Sequence, residues 1–133
     1  MSAIIDIYSE RKVQLINITS EIESLVKNSQ IKNGTCIIYV PHTTAGVLIN
    51  ENADPSVASD IEKALKRIVP PISFEHIEGN SPAHFLSSLV GCSLSIPIIN
   101  GSLQLGRWQG IFFSEFDGPR RRKVIVTMLS SSF

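Results

Sequence analysis

Alternation of apolar and polar residues predicts β-strands over most of the chain. The β-branched run Thr35–Val40 is nearly continuous in apolar residues, which predicts a strand buried on both faces. Asn100-Gly101 is a two-residue sequence typical of a tight hairpin, and apolar positions alternate on both sides of it. Further strands are predicted at residues 4–8, 13–18, 47–49, 94–98, 103–105, 109–116 and 123–129.

Three segments instead have the spacing of amphipathic helices. The first is predicted to begin at Ser20, which has the capping-box spacing to Glu23, and to stop at Asn33-Gly34. A third, short helix is predicted from Ser81-Pro82 to Gly91. The strongest helix begins at Asp54-Pro55 and ends before Pro70-Pro71. Its apolar face consists of Val57, Ile61, Ala64, Leu65 and Ile68.

These elements predict an α+β fold that is mainly antiparallel β. Eight or nine strands with two or three short helices are typical of a β-sandwich or a distorted barrel with helices at its ends. A chain of 133 residues has the length of one domain, and no linker divides it. The sequence therefore predicts a single domain over residues 1–133.

Composition narrows the classes of partner. The formal net charge is zero, which argues against general nucleic-acid binding. No apolar stretch is long enough to span a membrane, and the first residues lack an export signal, so we expect a cytoplasmic protein with no membrane partner. Hydrophobic residues make up 43% and charged residues 18%, which predicts an apolar subunit interface. Cys36 and Cys92 each adjoin an apolar run and are both expected in the core.

All three histidines lie in polar, loop-like segments, which favours a functional site. His42 follows the strand that ends at Val40, while His76 and His84 bracket a segment with Glu78 and Asn80. Imidazoles near carboxylates, amides and an arginine cluster suit a metal or an anionic substrate. The spacing of His76 and His84 is not that of two ligands on one helix face, and no phosphate loop, dinucleotide fingerprint or esterase serine motif is present.

Several motifs occur in the order found in the YjbQ family, and the sequence resembles that family from about residue 5 to 129. One departure is Arg107, which stands where members usually have threonine between the glycine and the tryptophan. The motifs are Pro41-His42-Thr43-Thr44-Ala45, Ile49-Asn50-Glu51-Asn52-Ala53-Asp54-Pro55, His76-x-x-Glu78-Gly79-Asn80-x-x-Ala83-His84, Gly101, Leu105-Gly106-x-Trp108-Gln109 and Glu115-x-Asp117-Gly118-Pro119-Arg120.

The resemblance implies a YjbQ-like domain that forms a homotrimer and has a secondary thiamine-phosphate synthase activity. That reaction joins a pyrimidine pyrophosphate to a thiazole phosphate and releases pyrophosphate. Members of the site are expected in three roles: catalytic His42, Asp54, Asn80 and Glu115; substrate-binding Arg120, Thr43, Asn52 and Trp108; and metal-binding His42, His76 and His84.

Within this assignment Arg120 contacts phosphate, Glu115 takes a metal or acts as a base, and Asn80 orients the ligand. The expected cofactor is a divalent metal, zinc or magnesium. Magnesium would suit pyrophosphate chemistry, whereas histidine ligands suit zinc. Two alternatives therefore stay open. One is a metal-assisted hydrolase, and the other is a non-catalytic trimer that binds a metal or a phosphorylated small molecule.

Overall fold

A computed structural model describes residues 1–131 of the protein. This part of the chain contains eight strands and three helices in an α+β arrangement. The helices are α1 (Thr19–Ser29), α2 (Pro55–Ile68) and α3 (Ser81–Val90). The strands are β1 (Ser2–Tyr8), β2 (Gln14–Asn17), β3 (Gly34–Tyr39), β4 (Ala45–Glu51), β5 (Ser93–Ile99), β6 (Ser102–Leu103), β7 (Gln109–Glu115) and β8 (Arg121–Ser130).

The strands form two antiparallel sheets, which confirms the predicted fold class. The larger sheet has the order β1-β8-β3-β5-β6, and the smaller has the order β2-β7-β4. β8 pairs with β1 on one side, where Ile4 lies opposite Ile125, and with β3 on the other, where Tyr39 lies opposite Ile125. Connections between the two sheets bring loops from distant parts of the chain to the same end.

The main hydrophobic core joins both sheets and α1. Alternate residues of each strand supply it, as the period of two predicts. A second cluster connects α3 to the β7–β8 connection. The main core includes Ile22, Val26, Cys36, Ile38, Val47, Ile96, Ile111, Phe113, Val124, Val126 and Met128, and the second cluster includes Val13, Ala83, Leu86 and Phe116.

The structure corrects the prediction for the first helix. α1 begins at Thr19 rather than Ser20, because the Asn17 side-chain oxygen accepts hydrogen bonds from the Thr19 backbone N–H and hydroxyl, at 3.0 and 2.6 Å. The helix ends at Ser29, and Gln30 follows with a φ of 61°. The expected Ser20–Glu23 capping box does not form, since Ser20 lies inside the helix.

One prediction about burial was wrong as well. β3 is not buried on both faces, because Ile37 is only half-buried and Tyr39 is exposed.

The start of α2 is confirmed, since Asp54 caps it by accepting a hydrogen bond from the Ser56 N–H at 2.9 Å. On its apolar face Val57, Ile61 and Leu65 are half-buried, whereas Ala64 and Ile68 are exposed. None of the described helices is long and apolar enough to cross a membrane.

Candidate functional site

An open cleft of about 680 Å³ lies at the end of the sheets where β3 stops. It collects residues from the segment after β3, the start of α3 and the β7–β8 connection. Five of the residues predicted for the site meet there: His42, Thr43, Asn80, His84 and Arg120. The remaining lining residues are Tyr39, Val40, Pro41, Thr44, Glu78, Cys92 and Arg122.

α3 is held close to the start of β4, which brings His84 to the cleft. The Val47 N–H donates to the Gly91 carbonyl at 3.1 Å, and the Ser87 hydroxyl donates to the Ala45 carbonyl at 2.6 Å. A Cβ atom on Gly46 would lie 2.5 Å from the Gly91 oxygen, so a side chain at this position would push the helix away. The glycine at position 46 is thus explained by the close approach of the two backbones.

His42 is fixed by the end of the sheet. Its Nε2 atom accepts a hydrogen bond from the Lys123 backbone N–H at 3.1 Å. Burial and then the nearby Arg122 charge lower the pKa of His42 below its ordinary value of 6.5. The side chain is therefore a neutral imidazole at neutral pH, with the proton on Nδ1.

Arg122 and Glu115 form a buried ion pair behind the cleft. The Arg122 Nε donates to Glu115 Oε1 at 2.9 Å, and Nη2 donates to Oε2 at 2.5 Å and to the Thr44 hydroxyl at 2.7 Å. Burial alone would raise the pKa of Glu115. Hydrogen bonds from Arg122, the Asp117 N–H and Ser9 outweigh it and hold the pKa below 4.5.

The sequence predicted Glu115 in the functional site, whereas the ion pair holds it behind the cleft. Its carboxylate is fully buried and does not line the cleft, so the structure gives no support to a metal-binding or basic role there. Arg122 does line the cleft, although sequence reasoning assigned it no role. A signal was present: Arg122 shares the alternating, inward-facing positions of β8 with Val124 and Val126.

Asp117 connects Arg120 and Asn80. The Arg120 Nη2 donates to Asp117 Oδ2 at 2.9 Å, and the Asn80 Nδ2 donates to the same oxygen at 3.2 Å. Lys12 adds a longer ion pair of 3.8 Å to the other carboxylate oxygen. The Arg120 guanidinium is half-exposed, so it is held in place and still reachable by a ligand.

The described residues of one chain contain no preformed site for the predicted metal. The rings of His76 and His84 lie edge to face with centroids 5.3 Å apart. Over residues 1–131, however, no group of three or more His, Cys, Asp or Glu side chains is placed to hold a metal ion. The Nε2 of His42 is also already engaged by Lys123. Within the described part of one chain, the donors therefore do not form the expected zinc or magnesium site.

Three predicted site residues lie at the opposite end of β4. Asp54 caps α2, and the Asn52 N–H donates to the Trp108 carbonyl at 3.0 Å. β4 spans seven residues between this end and the cleft, so the two groups are separated by roughly 20 Å within one chain. Arg107 stacks on the exposed Trp108 ring at 4.7 Å, which places the departure from the family motif outside the cleft.

The two cysteines differ in exposure, and the prediction that both are buried was wrong for one of them. Cys36 lies in the core, where burial raises the pKa of its thiol to about 11. Cys92 is exposed and lines the cleft. It precedes β5, at the position where its carbonyl accepts a hydrogen bond from the Val40 N–H at 2.8 Å. The apolar run after it misled the prediction.

Comparison with known proteins identifies the family. The family described as UPF0047 protein YjbQ-like matches residues 3–131. A UPF0047 protein of Methanocaldococcus jannaschii is 53% identical over 124 residues, covering 92% of this chain and 90% of the relative. The UPF0047 protein YugU of Bacillus subtilis is 43% identical, covering 94% and 96%. The crystal structure of an uncharacterized YjbQ/UPF0047 protein from Clostridium acetobutylicum superposes with a TM-score of 0.92 at 45% identity, covering 96% and 99%. The chain therefore belongs to the YjbQ family.

Proposed function

We propose that this member of the YjbQ family binds a phosphorylated small molecule in the cleft and carries out the transfer that the family resemblance implies. In that reaction a pyrimidine pyrophosphate and a thiazole phosphate are joined, and pyrophosphate is released. The observation that supports the proposal is the convergence of Arg120, Arg122, His42 and His84 on one cleft. Guanidinium and imidazole groups are donors that recognise phosphate oxygens.

The chemistry requires stabilisation of a leaving group. A bond forms from the thiazole to the carbon that carries the pyrophosphate, while the carbon–oxygen bond breaks and pyrophosphate keeps the electron pair. Arg120 is the group we assign to the negative charge that develops on the leaving group, because it is reachable and oriented by Asp117. His84 lies where it can donate a hydrogen bond to the same ligand. No step in this scheme passes through a metal.

A second candidate function is binding without turnover. Glu115 is locked in its ion pair, and Glu78 is the one carboxylate among the described residues that line the cleft. Glu78 lies in an exposed turn and makes no ion pair with the described part of the chain. A phosphate-binding protein that senses or stores its ligand would need the same arginines and no base. The metal-assisted hydrolase finds less support, because the described donors of one chain do not form a metal site.

An assay with the purified protein tests the first candidate against the second. The protein is mixed with the two precursors, and the condensed product is quantified by mass spectrometry. We expect product, and we expect Arg120→Gln to lower kcat/KM by about tenfold or more, as loss of a charged donor to the transition state should. Arg107→Gln removes an exposed arginine outside the cleft and should stay within about twofold. Pyrophosphate binding without product would favour the binding protein.

We also propose that the protein assembles as a homotrimer. The outer face of the larger sheet supports this, because Ile4, Tyr8, Tyr39 and Leu129 are exposed there. Light scattering at micromolar concentration should give three times the chain mass of 14.6 kDa, and a monomer mass would refute the assembly. The cytoplasmic location expected from the sequence stays a prediction, which cell fractionation would check.

A further inference from the structure

His42 occupies a special place at the end of the larger sheet. β3 pairs with β8 as far as Tyr39, opposite Ile125, and then turns away. The N–H of Lys123 would lose its ladder partner at this point, and Pro41 has no N–H to continue the strand pattern. The imidazole of His42 fills the gap by accepting from Lys123 at 3.1 Å. Because Nε2 is the acceptor, Nδ1 carries the proton and is a donor.

The Nδ1 atom of His42 is free to contact a ligand. It makes no hydrogen bond to any described residue, and it is not among the buried polar atoms that lack a partner within residues 1–131. An unpartnered atom that is not buried is accessible to solvent. His42 therefore presents a fixed N–H to the space that it lines.

Arg122 presents a second free donor beside it. Its Nε and Nη2 atoms are used by Glu115 and Thr44, whereas Nη1 makes no hydrogen bond to the described part of the chain. Nη1 too is absent from the buried unpartnered atoms of this region. The guanidinium is thus held rigidly on one edge. The side chain is only 4% exposed, and Nη1 is its unused donor, so little entropy is lost when this edge binds a ligand.

His42 and Arg122 are also the two residues shared by adjoining depressions. One is the cleft, and the other is a shallow groove on the outer side of the sheet, lined by Ile4, Asp6, Arg121 and Lys123 as well. A ligand group at the shared wall lies next to both side chains. We propose that Nδ1–H of His42 and Nη1 of Arg122 form an anion subsite that binds one phosphoryl group. The inference rests on the proposed function, since it specifies how the cleft holds a phosphorylated ligand.

The charges around the wall shared by the two depressions favour the binding of an anion. Arg122 and Glu115 neutralise each other, so Arg122 supplies directed donors rather than net charge. Lys123 supplies the charge, because it forms no ion pair with the described residues and lines the groove. Opposing carboxylates are Asp6, which pairs with Arg121 at 3.3 Å, and Glu78 in the exposed turn.

This assignment gives His42 a different role from those expected from the sequence. A metal ligand or a general base would need the lone pair of Nε2, which the Lys123 N–H already uses. The free nitrogen is the protonated one, so His42 acts as a hydrogen-bond donor to the ligand. Nuclear magnetic resonance can test the idea directly, because two-bond ¹H–¹⁵N correlations report which ring nitrogen carries the proton.

The experiment titrates inorganic pyrophosphate into ¹⁵N-labelled full-length protein at constant ionic strength. We expect the Nδ1–H tautomer of His42 in the free protein. We expect saturable shifts of the His42 ring and the Arg122 guanidinium signals on addition of pyrophosphate. Two variants sharpen the test. His42→Gln can keep the acceptor for Lys123 and lacks the Nδ1–H, whereas His42→Asn can keep a donor near Nδ1 and is too short to reach Lys123.

We expect His42→Gln to weaken pyrophosphate binding by about fivefold or more, as loss of one hydrogen bond should, and His42→Asn to bind more tightly than His42→Gln. The subsite is refuted by an Nε2–H tautomer, by unchanged affinity in His42→Gln, or by shifts confined to Arg120 and Lys12. The proposed transfer is judged separately. A protein that binds pyrophosphate at His42 and Arg122 but makes no product would refute the transfer and retain the subsite.

Discussion

Two arginine–glutamate pairs each connect different elements of this fold, and they lie in different surroundings. In the pair behind the cleft, Arg122 and Glu115 have side chains that are 4% and 0% exposed. In the pair beneath α2, Arg11 is 54% exposed and Glu62 is 9% exposed. Both pairs have two-point contact between guanidinium and carboxylate. An arginine–glutamate pair can therefore have a different structural role according to how deeply it is buried.

The buried pair is satisfied from several sides. Glu115 also accepts from the Ser9 hydroxyl at 2.7 Å and from the backbone N–H groups of Phe116 and Asp117 at 3.1 and 3.0 Å. Burying two charges is unfavourable unless such hydrogen bonds offset the loss of water. The arrangement makes sense if its purpose is to hold Arg122 in one orientation. The pair under α2 instead attaches an amphipathic helix, and water can replace much of it.

The largest effect is expected from Glu115→Gln. The substitution keeps the size of the side chain and leaves the Arg122 charge buried without a counter-ion. Breaking a buried pair in this way should lower the free energy of unfolding by about 3–5 kcal/mol, as measured by urea denaturation. Glu23→Gln, on the exposed side of α1, is the matched control and should change it by less than about 0.5 kcal/mol. Equal values for the two variants would contradict the comparison.

In the wild type, acid should remove part of the free energy of unfolding that the Glu115–Arg122 pair contributes. The pKa of Glu115 is lowered in the folded protein from its ordinary value of 4.5, so the folded state binds this proton less readily than the unfolded state. The stabilisation that the ionised Glu115 provides is complete above pH 4.5 and is lost as the pH falls through the pKa of Glu115 in the folded protein. The stability difference between wild type and Glu115→Gln should therefore shrink below pH 4.5. A difference that stays constant down to pH 3 would argue that the charge of Glu115 is unimportant.

The smallest effect is expected from Glu62→Gln. Arg11 is more than half exposed and keeps its contact with water, so the pair should contribute about 1 kcal/mol or less. Added salt at 1 M should reduce this contribution further, because exposed charges are screened. Urea denaturation at low and high salt measures both values. A loss as large as that of Glu115→Gln would show that burial is not what separates the two pairs.

The contrast also shows which parts of the fold could be predicted. The hairpin at Asn100-Gly101 and the start of α2 at Asp54-Pro55 were predictable, because each depends on local backbone chemistry. Periodicity marked α2 as amphipathic, but it could not show that Glu62 would be its buried residue. The partner of Glu62 is 51 positions away, and no local pattern reveals such a pair.

The candidate site was predictable only in part, because local sequence shows that a segment is polar but not where the fold places it. Polar segments at strand ends indicated that His42, Asn80, His84 and Arg120 could meet, and the structure brings them to one cleft. The same reasoning grouped Asn52, Asp54 and Trp108 with them, although strand length places those residues at the other end of β4. Whether a loop lies at one end of a sandwich or the other depends on topology, which single segments do not encode.

The position of β8 has a consequence for the order in which the protein can form. This strand lies between β1 and β3 in the larger sheet, so Ser2 is paired with Thr127 across 125 positions of sequence. During synthesis β1 therefore has no partner strand until residue 121 and the residues after it have left the ribosome. Such long-range pairing slows folding and exposes strand edges in the meantime. A nascent chain stalled before Arg121 would lack both the strand that joins β1 to β3 and the Arg122 side chain at the cleft, so the cleft can be complete only after β8 has been made.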